Sequence, residues 1–224
     1  MRIVIIALAL LCGLGVSPAL AASDPVNDEQ KTLYALGIAI SQSLETFSFS
    51  EGELEFVKAG LTDGVLKRKA KVDFQAYAPK VQELQKARAS VLAEKEKKVG
   101  EAFLAKAASE KGATKTASGI VIKTVKEGKG ASPKETDTVK VHYHGMLTDG
   151  TVFDSSVQRG EPATFGLNQV IPCWTQGVQL IRVGGKSQLI CPSSLAYGDR
   201  GAPPKIKPGA TLVFDVELIE IVKK

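Results

Sequence analysis

His142 and His144 are the only histidines in the chain. They alternate with Val141 and Tyr143, which places both imidazoles on the outward face of one strand. No cysteine or carboxylate stands beside them at a zinc-ligand spacing, so they read as surface histidines, and no metal is expected. A glycine-rich phosphate loop and a serine nucleophile elbow are both absent from the sequence, and no cofactor is implied. What the C-terminal half does carry is an excess of aromatic and branched apolar residues beside turns: Tyr143, Phe153, Val170, Ile171, Trp174, Tyr197, Ile206 and Phe214. Taken singly, each is more often core than site. Composition alone stops at a compact α+β domain.

The elements that must position these residues are legible. Val139, Val141 and Tyr143 alternate with Lys140, His142 and His144, a half-buried strand. Leu212, Phe214, Val216 and Leu218 alternate with Val213, Asp215, Glu217 and Ile219, a second strand near the C-terminus. Ser187, Leu189 and Cys191 mark the inward side of a third, and Ile120 to Val125 a fourth. Asp149-Gly150 is a turn signal. Pro172 suits the first turn of a short helix on which Trp174, Val178 and Ile181 share a face, and Gly184-Gly185 ends it. An antiparallel sheet wrapped on one short helix follows.

The N-terminal half differs in kind. Before Gly112 the chain is rich in Ala, Glu, Lys, Leu and Gln, whereas most of the Gly and Pro come after it. Leu33, Leu36, Ile40, Leu44 and Phe47 share one helical face. Leu54, Val57, Leu61 and Val65 share another, with Ser50 and Glu53 as a capping-box signature. Two such short helices bury too little to fold alone, which implies a partner surface. Asp73 to Lys111 predicts one long helix, capped by Asp73, ended at Gly112, with Pro79 in its first turns. Its middle, Gln82 to Lys98, is so charged that a solvated strut is expected. Thirty or so residues of helix reach about 45 Å, enough to hold the C-terminal domain away from the N-terminal one.

Arg2, the apolar run Ile3–Val16 and Ala19-Leu20-Ala21 make an export signal with Ala22 as the mature N-terminus. The run is too short for a comfortable membrane span. Cys12 follows Leu11, not the small residue a lipoprotein signal needs. Removal of residues 1–21 leaves only Cys173 and Cys191. In an oxidising compartment these two are expected to pair, in competition with the reading of two free cysteines packed as small hydrophobes. The net charge of +5 is mild, Lys and Glu are interspersed, and no basic stripe interleaved with aromatics points to nucleic acid.

Six motifs carry a resemblance: Val141–Gly145 (VHYHG), Gly150–Ser155 (GTVFDS), Gly160–Phe165 (GEPATF), Val170–Trp174 (VIPCW), Leu195–Gly198 (LAYG) and Ala210–Leu218 (ATLVFDVEL). In order and spacing they resemble the FKBP-type peptidyl-prolyl isomerases over residues 113–224. Upstream, QKTLYALG at Gln30–Gly37 and GEAFLAKAASEKG at Gly100–Gly112 resemble the bacterial macrophage infectivity potentiator and its periplasmic relatives. The resemblance implies four parts: a signal peptide over 1–21, a helical dimerisation domain over 22–72, a connecting helix over 73–112 and an isomerase domain over 113–224. It implies a homodimer in the periplasm, with outer-membrane or cell-surface association open, and clients that are unfolded or partly folded proline-containing polypeptides. Macrolide inhibitors are implied ligands.

By motif position, the resemblance makes Trp174 the pocket floor and Tyr143, Phe153, Val170, Ile171 and Phe214 its walls. Tyr197 becomes a hydroxyl donor and the Ile171 N–H a second donor to substrate. Asp154 stands at the rim bonded to Tyr143, with Arg159 as its ionic partner, and Ile206 lies on the loop that overhangs the pocket. Ala163 and Ala202 depart from the family's bulkier residues, Cys173 from its glycine and Cys191 from its apolar strand residue. A second reading is a holdase-type chaperone with incidental isomerase activity.

Overall fold

The computed structural model describes residues 24–222. The expected signal segment and Cys12 lie outside the described residues. Two helices come first: α1 spans Asp28–Leu44 and α2 Glu51–Val65, and neither buries a single residue. The capping box at the start of α2 is formed. Ser50 Oγ accepts from the Glu53 N–H at 3.4 Å, and the Glu53 carboxylate accepts from the Ser50 N–H at 2.9 Å. Helix α3 runs Phe74–Ala108, with Asp73 Oδ1 accepting from the Gln75 N–H and Pro79 inside its first turns. It stops at Ala108, ahead of Gly112, whose positive φ of 82° serves the turn into the first strand.

The strands are β1 (Ala113–Lys115), β2 (Val121–Lys126), β3 (Thr138–Leu147), β4 (Val152–Ser155), β5 (Ala163–Gly166), β6 (Lys186–Cys191) and β7 (Leu212–Val222). Two short helices are interposed, α4 (Ser156–Arg159) and α5 (Pro172–Val178). The seven strands form one antiparallel sheet in the order β1-β2-β6-β7-β3-β4. Strand β5 shares the outer edge of β3 with β4, pairing Val141 with Ala163 and Val139 with Phe165. One face of the sheet holds Val139, Val141, Leu189, Leu212, Val216 and Leu218, all fully buried, against Trp174, Val178 and Ile181 of α5 and the turn after it. Cys173 at the start of α5 and Cys191 at the end of β6 are disulfide-bonded, with Cα atoms 5.7 Å apart. The bridge ties helix to sheet.

The opposite face is covered in part: within Gln82 to Lys98, read as a solvated strut, Ala93 alone is buried, and beyond that stretch the helix packs on the sheet. Helix α3 buries no residue as far as Leu92, but Ala93, Gly100, Leu104 and Ala107 are buried. Leu104 and Ala107 pack on Val121, Ile190 and Val213, the apolar residues on the outward parity of β2, β6 and β7. Higher up, Ala93 meets the backbone of Gly209. A Cβ at Gly209 would lie 2.8 Å from Ala93 Cα, and its φ is +77°, so only glycine fits. Lys97 Nζ reaches Asp199 Oδ1 at 2.7 Å. The charge on α3 is therefore one-sided: small and apolar residues at 93, 100, 104 and 107 make a seam too sparse to register as an amphipathic stripe.

Candidate active site

Trp174 is the centre of the site. Helix α5 starts at Pro172, whose missing N–H costs nothing at a first turn, and this sets the indole two residues on beneath the sheet. Tyr143 of β3, Phe165 of β5 and Phe214 of β7 meet it edge-to-face at centroid distances of 5.3, 5.6 and 5.3 Å. Phe153 stands edge-on to Phe214 at 5.5 Å. Each such pair adds about 0.5–1.5 kcal/mol beyond area burial, so the box is rigid. Gly145 of β3 admits the Phe153 ring, since a Cβ there would lie 2.7 Å from Phe153 Cζ and 3.0 Å from Phe214 Cε1.

These rings bound a cavity of about 470 Å³, completed by Asp154, Gln169, Val170, Ile171 and Tyr197. The segment before α5 is pinned by Thr175 Oγ1, which donates to Leu167 O at 2.6 Å, and by the Trp174 N–H, which donates to Ile171 O at 2.8 Å. The Ile171 N–H finds no acceptor among the described residues. Tyr197 is half exposed at the mouth, and its hydroxyl has no partner among the described residues. The Trp174 indole N–H is buried and has none either. Donors without acceptors in an apolar chamber suit a ligand that brings carbonyl oxygens.

The one charged group on the wall is fixed from two sides. The Tyr143 hydroxyl donates to Asp154 Oδ2, the Arg159 guanidinium donates to Asp154 Oδ1, and Arg159 Nη2 also donates to the Tyr143 hydroxyl at 3.0 Å. Arg159 is aimed by α4, whose start is capped by Ser155 Oγ accepting from the Gln158 N–H and whose end is Gly160 at φ 80°. Burial works to raise the Asp154 carboxyl, but the hydrogen bonds from Tyr143 and Arg159 outweigh it and hold it below the ordinary carboxylate range. Burial, seconded by the bond to Asp154, pushes the Tyr143 phenol up. Asp154 is thus an anion and Tyr143 a neutral donor at neutral pH.

Eight of the residues singled out in the sequence line this cavity: Tyr143, Phe153, Asp154, Val170, Ile171, Trp174, Tyr197 and Phe214. Arg159 does not line it and acts through Asp154. Ile206, expected on a loop that overhangs the pocket, does not line the cavity; it is 4% exposed, belongs to the core cluster that also holds Tyr143, Trp174 and Phe214, and exchanges backbone hydrogen bonds with Ala202 at 2.8 and 3.0 Å. Ala163 and Ala202 pack against the core and do not line the cavity. Phe165 and Gln169 were not singled out. Phe165 was findable, because strand alternation from Ala163 puts it on the pocket side; nothing in the sequence marks Gln169. His142 and His144 lie on the outer face of β3, opposite Glu217 and Asp215 of β7, with Nδ1 atoms 3.1 and 2.9 Å from Ser156 and Ser155 Oγ. Among the described residues no cluster of three or more His, Cys, Asp or Glu could hold a metal ion.

Comparison with known proteins finds matches over most of the described chain. A family model described as FKBP-type peptidyl-prolyl cis-trans isomerase matches residues 129–219, and one described as the domain amino-terminal to it matches residues 29–123. The chain is 46% identical over 207 residues to the FKBP-type peptidyl-prolyl cis-trans isomerase FkpA of Aeromonas hydrophila, covering 87% of this chain and 77% of that one. It is 34% identical over 225 residues to the outer membrane protein MIP of Legionella longbeachae, covering 96% of each. Among solved structures, the crystal structure of FkpA from Escherichia coli is similar with a TM-score of 0.67 and 38% identity, over 87% of this chain and 97% of that one.

Proposed function

The chain belongs to the FKBP-type peptidyl-prolyl cis-trans isomerase family, and from that premise we propose that the aromatic cavity of residues 113–224 is where it turns the X–Pro bond. The chain is a peptidyl-prolyl cis-trans isomerase acting on proline-containing polypeptides. The observation that carries the site assignment is a cavity walled by aromatic rings whose one charged wall residue is already paired.

The reaction asks for little else. An amide rotates slowly because twisting breaks its resonance, at a barrier of about 18–20 kcal/mol. The twisted amide is less polar than the planar one. An apolar chamber that grips the prolyl ring and favours the twisted form lowers the barrier by differential binding. Trp174 is the floor beneath the ring, with Tyr143, Phe153, Phe165 and Phe214 around it. The Tyr197 hydroxyl and the Ile171 N–H are the donors that hold substrate carbonyls on either side. Asp154, locked by Tyr143 and Arg159, presents a fixed negative charge at the rim beside the rotating carbonyl. The aromatic box and the open mouth are also what a macrolide ligand would occupy.

The same chain is proposed to work as an exported homodimer in the periplasm. Leu33 and Leu36 of α1 are 61% and 56% exposed, and Phe56 of α2 is 82% exposed. Helices of this length with no buried side chain need a partner. A second copy fits, and mature protein should scatter light at twice the monomer mass. The holdase reading would use the same exposed side chains for unfolded clients. Isomerisation of a short X–Pro peptide, set beside suppression of aggregation of a proline-free client, separates the two. An inactive mature protein in the peptide assay would defeat the isomerase assignment of the cavity.

A further inference from the structure

Phe153 sits at a β-bulge. Gly145 pairs with Asp154 and Met146 with Val152, so Phe153 has no opposite residue on β3. The bulge sets its ring in the cavity wall under Gly145. Strand β4 is the edge of the sheet. The Phe153 carbonyl accepts a bond from Lys205 Nζ at 2.9 Å, across 52 residues of chain. Among the described residues no carboxylate pairs with Lys205. The lysine stands between Tyr197, at the cavity mouth, and Ile206, buried in the core.

We propose that Lys205 is a positioning residue for the isomerase site, a latch that fastens the mouth segment following Tyr197 to the bulge carrying Phe153 and Asp154. The inference rests on the cavity being the site proposed above. The physical reason is accounting. A partly buried backbone carbonyl needs a donor, and the Phe153 carbonyl at the bulge takes the Lys205 ammonium. A charged donor fills that need with a stronger bond than a neutral one. It also sets the distance between the wall that packs on the prolyl ring and the mouth that carries the Tyr197 hydroxyl. Lys205 itself touches no reacting atom.

The test uses the full-length mature protein with three variants, and reads peptide kinetics, thermal stability and intrinsic fluorescence. Trp174 is the only tryptophan in the chain, so emission reports the cavity floor. Lys205→Met keeps the stem and removes the donor. It should raise KM about three- to tenfold, the scale of one lost hydrogen bond, with little change in kcat and in melting temperature. Trp174 emission should shift to the red as water enters. Lys205→Arg, which keeps a donor, should restore both KM and emission. Wild-type KM and emission in Lys205→Met would overturn the inference, as would losses in kcat and melting temperature moving together. Phe153→Ala runs alongside: wild-type turnover there removes the site reading itself, whereas an impaired Phe153→Ala beside a silent Lys205→Met removes the latch alone.

Discussion

The hydroxyl of Tyr143 donates to the carboxylate of Asp154, eleven residues on in the chain, and Arg159 bonds both. The contact joins β3 to β4 across the cavity wall. It makes an aromatic side of the pocket and its only charged side one mechanical unit.

Breaking that unit should cost activity more than stability. Asp154→Asn removes the charge and its tie to Arg159; Tyr143→Phe removes one donor. Hydrogen bonds to charged groups are worth about 1.5–3 kcal/mol, so kcat/KM is expected to fall about ten- to hundredfold in Asp154→Asn. The double variant should lose less than the sum of the singles, because the two residues share one network. Circular dichroism should stay native. Strict additivity in the double-mutant cycle would show that they act apart.

The pH dependence follows from directions alone. A carboxyl held below its unfolded value contributes stability that is present above that value and lost as pH falls through the folded one. Asp154 is such a group, so kcat/KM should be level across neutral pH and fall only below the ordinary Asp range near 3.9. Asp154→Asn should flatten that acid limb. Glu53 is a second such group: the Arg88 side chain, then Ser50, lower it to about 2. The α2–α3 contact it makes should therefore loosen as pH drops from about 4.5 towards 2, visible as helical loss while the Trp174 emission still reports a closed cavity.

The packing of α3 on the sheet sets the boundary of a stable catalytic fragment. Residues 113–224 hold the whole cavity and should isomerise short peptides. That fragment, however, bares Val121, Ile190 and Val213, which Leu104 and Ala107 cover in the intact chain. A fragment beginning near residue 89 should melt higher and aggregate less. In the full chain Leu104→Ala should cost about 2–5 kcal/mol, and Gly209→Ala should also destabilise, because its φ is +77° and Ala93 blocks the space. Equal melting temperatures for the two fragments would mean that the seam contributes nothing.

The bond between Cys173 and Cys191 closes a short loop, with a sequence separation of 18. On chain-entropy grounds it stabilises by about 3 kcal/mol. It also anchors the helix turn that carries Trp174. Protein lacking residues 1–21 and purified without reductant should show no alkylatable thiol by mass spectrometry, since Cys12 is the one other cysteine in the sequence. Reduction should lower the melting temperature. Two free thiols in that natively purified protein would rule the bond out.

Much of this was legible without a structure, because it rests on local rules. Alternation placed Val139, Val141 and Tyr143 on the inward face of β3, and Leu212, Phe214, Val216 and Leu218 on that of β7; Ser50 and Glu53 announced the start of α2; Pro172 announced α5. The pocket residues are reachable only through the family resemblance that the ordered motifs carry, and Phe165 follows from strand parity. Three features were not legible, each because it depends on segments meeting across the fold. The second face of the sheet was hidden, since Val121, Ile190 and Val213 sit at positions that alternation assigns to solvent until Leu104 and Ala107 arrive. Ile206 reads only as part of an overhanging loop, and that its side chain packs in the core while its backbone pairs with Ala202 shows only in the fold. The bond from Lys205 to the Phe153 carbonyl has no sequence signature at all. A bulge carbonyl and a lysine 52 residues away can be matched only once the chain has folded, because satisfying a backbone group is a demand of three-dimensional placement and not of residue order.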